Sequence, residues 1–437
     1  MRRYPQQMTE FAIYLNLLCA PMWLKLPNAP APFTAQYVLG FWIVIPLLGT
    51  VISWAISGFR GWHKLVDTRW QQVWWFSWGL LLVWGYLSQY WAYGLGDYPG
   101  IAPSNVLQIA LVLILLAVIQ ATAPPLSRVK GILMISMLIH GTIGGLQVVQ
   151  QGDIGLGLLG EFALDPMRSG VSVLETDGTR WLRPYGLLPH PNILGGVIVL
   201  GLFASATWLL ADGARYRAGV VIFALGFWFL LLSFSRGAWL GFAVGILWVL
   251  PRALRIPHFW RKIIAPAIAV LLVGGVFVAM FQPLLLSRAG VDSPNTELRS
   301  IADRLVYIEV AENAIREYPL HGVGIGNFAW YASNYIFYNT RYDLNGNNVH
   351  NIYLLVWSEL GIIGLILFGG VMLGAIGALM RAPNTPEQLA LMGAFVAWAV
   401  IGLVDHYMWT LIMTQVLWLS LPAFSMGDTS ANMHPSR

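Results

Sequence analysis

The stretch VHNIYLLVWSELGIIGLILFGGVML, residues 349–373, decides the fold. From Ile352 to its end, Glu359 is the one Asp, Glu, Lys or Arg. A run of that length and apolarity crosses the hydrocarbon core of a bilayer as a helix. His350 stands at its border, where a long polar loop turns into the apolar run. The border position sets the two questions for the rest of the chain: how many such runs there are, and what faces the histidine.

The whole sequence has the same character. It is 57% hydrophobic and 10% charged, with a mean hydropathy of +0.64, against about 25% charged residues in a soluble domain. About twelve spans are read from length and apolarity. They lie near 10–26, 36–57, 73–93, 103–122, 131–150, 192–211, 218–234, 237–250, 263–281, 350–373, 388–404 and 407–424. The pair at 218–250 also reads as one broken helix. Twenty-one Trp residues suit belts at the two interfaces, with Trp74, Trp75, Trp78 and Trp91 as anchors of one span. The single cysteine, Cys19, excludes an internal disulfide and a cysteine-based metal site. Arg2 and Arg3 precede an apolar run as in a secretory signal, but no small-x-small cleavage pattern follows. Lys25 and Pro27 close that run, so it is read as the first span.

Basic residues sort by connection. Arg60, Lys64 and Arg69, then Arg128 and Lys130, Arg215 and Arg217, the 252–262 cluster and Arg381 fall in alternate short loops. The intervening connections 28–35 and 94–102 hold no Lys or Arg. An excess of Lys and Arg marks the cytoplasmic side, so both termini are placed inside. The longer segments 151–191 and 282–349 then lie outside, and the net charge of +5 is no sign of nucleic acid. No Walker-type loop is present, which argues against ATP-driven work. The expected architecture is an all-α polytopic membrane protein whose long extracytoplasmic loop contains an amphipathic helix.

The outer side carries the candidates for chemistry. In LRPYGLLPHPNILGG, residues 182–196, Arg183 lies at the membrane border on the side where cations are depleted. Asn192, after Pro191, is placed to cap the next span. In LLLSFSRGAWLGF, residues 230–242, Arg236 has apolar runs on both sides and no acidic neighbour. It either snorkels to the surface or serves an anion, for which a planar guanidinium is well suited.

Residues 296–319, TELRSIADRLVYIEVAENAIREYP, repeat Ile301, Leu305, Ile308, Ala311 and Ile315 at helical spacing. Arg304 shares that apolar face, whereas Arg316 is placed to pair with Glu312 one turn earlier. Gly322, Gly324 and Gly326 then mark either a turn or a close approach to a ligand. Trp330, Tyr331, Tyr335, Tyr338 and Tyr342 suit either sugar rings or an interfacial belt, and Asn345–Asn348 reads as a turn. His350 can stay neutral at this border and act as a general base near pH 7; the plainer role is a bond to a backbone carbonyl. Glu359, two to three turns deep, is read as a structural partner, and Asp405 with His406 as a polar pair of no assigned role. With no Asp-x-Asp and no His-x₃-His in the outer segments, a site without metal or cofactor is expected.

These residues, in this order, resemble the O-antigen ligase and polymerase superfamily of bacterial envelope proteins. The resemblance rests on Arg-x-x-Gly…Pro-Asn at 183–192, the Ser-Arg-Gly turn at Arg236, the Arg304 helix ending in Pro-x-x-Gly-x-Gly, and His-Asn…Glu-x-Gly at 350–361. It covers roughly residues 180–375 and is absent from 164–178 and 288–296. It implies a GT-C-like enzyme of the bacterial cytoplasmic (inner) membrane that moves a glycan from a polyprenyl diphosphate carrier to an acceptor hydroxyl at the outer face. Inversion without metal is implied, with Arg236 and Arg304 on the diphosphate and His350 activating the acceptor or assisting departure of the leaving group. Arg183, Asn192, Tyr331, Tyr335 and Asn351 then bind substrate. The partners are the polyprenyl diphosphate-linked glycan, a lipid or glycan acceptor such as a lipopolysaccharide core, and membrane lipids.

The chain accordingly divides into N-terminal scaffold spans (1–150), a catalytic region (151–375, with the outer loop 282–349) and C-terminal spans with a short cytoplasmic tail (376–437). Ligase and polymerase share these motifs. A small-anion transporter of the bicarbonate type is the reading from another class; the lack of an internal repeat and the outer-face placement of polar residues weigh against it.

Overall fold

A computed structural model describes residues 4–23, 43–94, 96, 100–176, 178–288, 294–339 and 347–433. The expected first outer loop with the start of the second span (24–42), and residues 340–346 with Tyr342, lie outside them, as does the side chain of Tyr338.

Helices dominate. In chain order they are α1 (Tyr4–Cys19), α2 (Val44–Ile56), α3 (Arg69–Leu87), α4 (Ile101–Thr122), α5 (Leu126–Gln150), α6 (Pro191–Leu209), α7 (Gly213–Leu232) and α8 (Arg236–Ala253). There follow α9 (Phe259–Arg288), α10 (Pro294–Glu317), α11 (Phe328–Asn339), α12 (Ile352–Arg381), α13 (Pro386–Ile401), the single turn α14 (Tyr407–Thr410) and α15 (Ile412–Met433). Six of them, α4, α5, α6, α7, α9 and α12, are long and apolar enough to cross a membrane, and α2 and α13 are shorter apolar helices. The protein is therefore a helical, multi-pass membrane protein.

Glycine allows the closest helix contacts. On α8, a Cβ at Gly241 or Gly245 would meet the carbonyl oxygens of Ala397 and Gly393 on α13 at 2.5 and 2.6 Å. On α12, a Cβ at Gly374 would lie 2.7 Å from the Trp74 nitrogen of α3. Small residues that let backbones approach in this way replace the hydrophobic drive that lipid cannot supply. The centre of the bundle is α6, 83% of whose most apolar stretch is buried, whereas only 11% of that of α9 is. Helix α9 therefore stands at the periphery, with most of its surface left for lipid.

The expected pair of spans at 218–250 is present as two helices, α7 and α8, broken at 233–235, where Phe234 has a φ of +49°. Three expectations are revised. Trp74 and Trp78 are core side chains, 0% and 1% exposed, edge-to-face with each other, so they anchor no interface. The amphipathic helix is present as α10, but its buried stripe is Val306, Tyr307, Val310, Ala311 and Ala314, while Leu305 is 60% exposed. Packing of α10 on α11 and α12 selects that stripe over the neighbouring apolar one; Arg304 still joins it, three and seven residues before Tyr307 and Ala311. Finally, Val173–Thr176 pairs antiparallel with Thr179–Leu182 as a two-stranded hairpin, in a chain where only helix was expected.

The 320s loop is threaded into α12. Gly361 has a φ of +66°, and its amide end of the break receives the loop: the Ile362 N–H donates to the Pro319 carbonyl at 2.9 Å. Two turns of the loop are tied to the other side of the break, with Val323 N–H on Ser358 O and Gly324 N–H on Glu359 O at 2.9 and 2.8 Å. The Glu359 carboxylate accepts from Trp409 Nε1 at 2.8 Å and from the backbone N–H groups of Gly326 and Phe328. Glu359 is thus the structural partner expected, a hydrogen-bond acceptor at the N-terminus of α11. Gly322, Gly324 and Gly326, all at positive φ, press on Glu359, Ala92 and Asn105; they mark a tightly packed turn.

Candidate functional site

A cavity of about 660 Å³ lies where the hairpin, the N-termini of α6 and α12, the end of α9, the start of α10 and the α13–α14 turn converge. Each wall has a local reason to be there. In the hairpin, Arg180 and Glu175 are cross-strand partners, with Nε and Oε1 3.3 Å apart, and this faces Arg180 to the cavity. The Ser287 hydroxyl donates to the Glu175 carbonyl and ties the end of α9 to the same hairpin. Arg288, the last residue of α9, follows directly.

Arg183 lines the cavity too, yet it is 4% exposed and its guanidinium is occupied by the protein. Nε and Nη2 donate to the Ser233 carbonyl at 3.2 and 2.8 Å, Nη1 to Ser172 Oγ at 3.0 Å, and Nη2 also to Asn192 Oδ1 at 2.9 Å. It clips the hairpin to the α7–α8 break and to the start of α6. Arg304 differs: it lines the same cavity, and among the described residues it makes no hydrogen bond or ion pair.

The cap of α6 is His190, whose Nδ1 accepts from the Asn192 N–H at 3.1 Å, with Pro191 in the first turn. Asn192 is therefore not the cap. Its side chain bridges Arg183 to Asp405, donating Nδ2 to Oδ2 at 2.9 Å. Asp405, 7% exposed, also accepts from the His406 N–H at 2.9 Å. Facing it, the rings of His350 and His406 meet edge to face, 5.1 Å between centroids. Among the described residues, His350 Nδ1 is buried without a hydrogen-bond partner, and buried polar groups left that way call for an explanation.

The electrostatics follow from burial. Desolvation disfavours the imidazolium of His350 and lowers its pKa; Asp405 pulls it up and Arg304 pushes it down further. His406 is lowered to about 4, chiefly by burial, and His190 is lowered by burial and by Arg183. Burial alone would raise the Asp405 carboxyl, but His406, His350, His190 and the Asn192 hydrogen bond outweigh it, so its pKa lies below the ordinary value. At neutral pH the cavity holds the Asp405 carboxylate and neutral imidazoles beside the arginine guanidinium groups, and Asp303 also stands in its wall.

The candidates from sequence are distributed as follows. The cavity is lined by His350, Arg304, Arg183 and Asn192. Arg236, exposed at the first position of α8, stands behind it, with Nη1 on the Arg288 carbonyl at 3.2 Å. Asn351 is the N-cap of α12, accepting from the Tyr353 and Leu354 N–H groups; Asn347 faces the cavity in its stead. Tyr331 and Tyr335 are absent from the walls. Tyr331 is 3% exposed, stacked on Tyr335, and its hydroxyl donates to Glu317 and accepts from Asn313, so these phenols join α10 to α11.

Arg180, Arg288, Asp405 and His406 are cavity residues that the sequence reading left without a role. The signal that selected Arg183, a cation on the side where Lys and Arg are depleted, applies equally to Arg180 and Arg288. The ligand atoms of His350, Asp405 and His406 all lie within 4.8 Å of one another, a group that can hold a metal ion. No spacing rule finds it, because its members come from two distant turns.

Residues 221–369 match the family model described as O-antigen ligase. Among curated proteins, a putative polysaccharide ligase of Rickettsia felis is 27% identical over 222 residues, 48% of this chain and 51% of that protein. The O-antigen ligase of Salmonella typhimurium is 24% identical over 219 residues, 47% of this chain and 52% of that protein. The match spans about half the length of these relatives. The resemblance to the O-antigen ligase superfamily read from the motifs is thereby supported, and the matched region contains Arg236, Arg304, His350 and Glu359.

Proposed function

From the O-antigen ligase match we propose that the cavity transfers a glycan from a polyprenyl diphosphate to an acceptor hydroxyl at the outer face of the bacterial inner membrane. The observation that carries this reading is the pairing, in one cavity, of a neutral imidazole with a guanidinium, that of Arg304, which makes no hydrogen bond or ion pair among the described residues. Neutral His350 takes the proton of the acceptor hydroxyl as its oxygen bonds to the anomeric carbon, and the bond from that carbon to the diphosphate oxygen breaks. The leaving electron pair stays on the diphosphate, where Arg304 and Arg288 face the developing charge. Attack opposite the leaving group inverts the anomeric centre. Asp405, held by Asn192 and by the His406 N–H, supports the imidazole charge of His350 electrostatically, and Arg183 holds the walls.

The same reading places about twelve crossings in the membrane, both termini in the cytoplasm and the cavity outside, as loop charges suggest. The catalytic region, first bounded at 151–375, then extends to Asp405 and His406. Charge neutralisation falls to arginine, without metal.

The test is release of polyprenyl diphosphate by the purified chain supplied with a lipid-linked glycan and an acceptor. His350→Ala and Arg304→Ala should each lower the rate by about a hundredfold or more while the protein stays monodisperse. Full activity in both variants refutes the assignment. Activity should survive EDTA; its loss, with recovery on adding a divalent cation, would move the chemistry to the His350, Asp405 and His406 group.

A further inference from the structure

A second polar cavity, of about 250 Å³, lies at the other end of the bundle. Helix α4 fixes that placement: Asn105, near its start, packs on Gly326 beside the outer loop, and Thr122, at its end, lines this cavity. Gln6 and Thr9 of α1 form one wall, and Arg60, His63 and Lys64 form another. No Asp or Glu is among the lining residues described.

The cationic wall is a built element. Residues Trp62–Val66 form a 3₁₀ turn, and Gln120, 0% exposed, donates its side-chain N–H groups to the Lys64 and Leu65 carbonyls at 2.9 and 3.0 Å. Gln120 is held in turn by Trp75 Nε1 at 2.9 Å, and Trp54 Nε1 donates to the Arg60 carbonyl at 3.0 Å. Gly61, at φ +78°, passes so close to α4 that a Cβ would lie 2.2 Å from the Ala121 oxygen. Around this fixed frame, Phe59, Trp62 and Val66 are 49%, 65% and 49% exposed. Apolar and aromatic side chains exposed beside cations suit the level of lipid headgroups.

We propose that this cavity binds the phosphate of an anionic phospholipid of the adjacent leaflet. A guanidinium fork, an ammonium and an imidazole converge on a pocket that a phosphodiester fits, and the exposed aromatics lie where the acyl chains would run. Basic pockets between membrane helices bind acidic headgroups by this chemistry. It is independent of glycan transfer and of the outer cavity.

The experiment is native mass spectrometry of the full chain in detergent with phosphatidylglycerol, with phosphatidylcholine of the same chains, and with inorganic phosphate. Phosphatidylglycerol should be retained selectively. Arg60→Gln with Lys64→Gln should weaken retention about thirtyfold, from the attraction of two cations at an anionic surface. Thr122→Trp, which fills the cavity and keeps every charge, should weaken it as well. Arg215→Gln with Arg217→Gln makes the same charge change at the start of α7 and should leave retention intact. Equal retention of the two lipids, or equal loss in both double variants, overturns the site in favour of diffuse charge attraction. Saturable binding of inorganic phosphate without retention of lipid overturns it in favour of a soluble anion. An unchanged thermal midpoint in each variant separates these outcomes from unfolding.

Discussion

His350 and Asp405 set the sign of the pH response. The pKa of His350 lies below its ordinary value of about 6.5, so its neutral, proton-accepting form persists into mildly acid solution. The acid limb of the transfer rate should therefore fall below pH 6.5. Asp405 pulls that pKa upward and Arg304 pushes it down. Asp405→Asn should thus move the limb further into acid, an effect that loss of packing alone does not produce; a shift toward alkali would sink the assignment. The two arginines of the cavity should also part company. Arg183→Ala leaves the Ser233 carbonyl and Asn192 Oδ1 without their donor in a buried place, where losing such charge-assisted bonds costs about 3 kcal/mol or more. Its thermal midpoint should drop well below that of Arg304→Ala, which loses no hydrogen bond or ion pair among the described residues. Equal midpoints would show that Arg183 is not the clip described.

At the scale of elements, hydropathy made the helices legible because lipid demands a length and an apolarity that the sequence must carry locally. What it did not carry is which side of a helix meets protein. The stripe of α10 is chosen by α11 and α12, and Trp74 and Trp78 are buried because α12 offers glycines opposite α3. The hairpin at 173–182 was illegible for another reason: its short strands lack an alternating apolar pattern, and it is held from outside by Ser287 and Arg183. The Glu-x-Gly of 359–361 was visible as a motif, but its use was not. The carboxylate caps α11, and the glycine opens α12 to the 320s loop. Gly361→Ala combines a positive φ with a Cβ placed 2.2 Å from the Leu320 backbone. It should give protein that is poorly folded or that unfolds at markedly lower temperature; a midpoint equal to that of the parent chain would mean the loop can withdraw from the break.

At the scale of the molecule, the site is a product of tertiary structure. The region matching the O-antigen ligase model ends before Asp405 and begins after Asn192, yet those two are hydrogen-bonded to each other in the cavity. Sequence reasoning found the arginines and His350 one at a time, from charge and border position. It had no means of bringing in the α13–α14 turn, more than fifty residues past His350. The peripheral helix α9 adds a kinetic consequence. Its free flank faces lipid, and its last residue, Arg288, is in the wall of the cavity. On the proposed reading, a donor anchored by a polyprenyl chain reaches such a wall by diffusing in two dimensions, and its working concentration is a mole fraction in the bilayer. In proteoliposomes with fixed amounts of enzyme and donor, adding neutral phospholipid should slow transfer in proportion below saturation, the signature of surface dilution. A rate that depends on the water volume and ignores added lipid would show that the donor comes from solution.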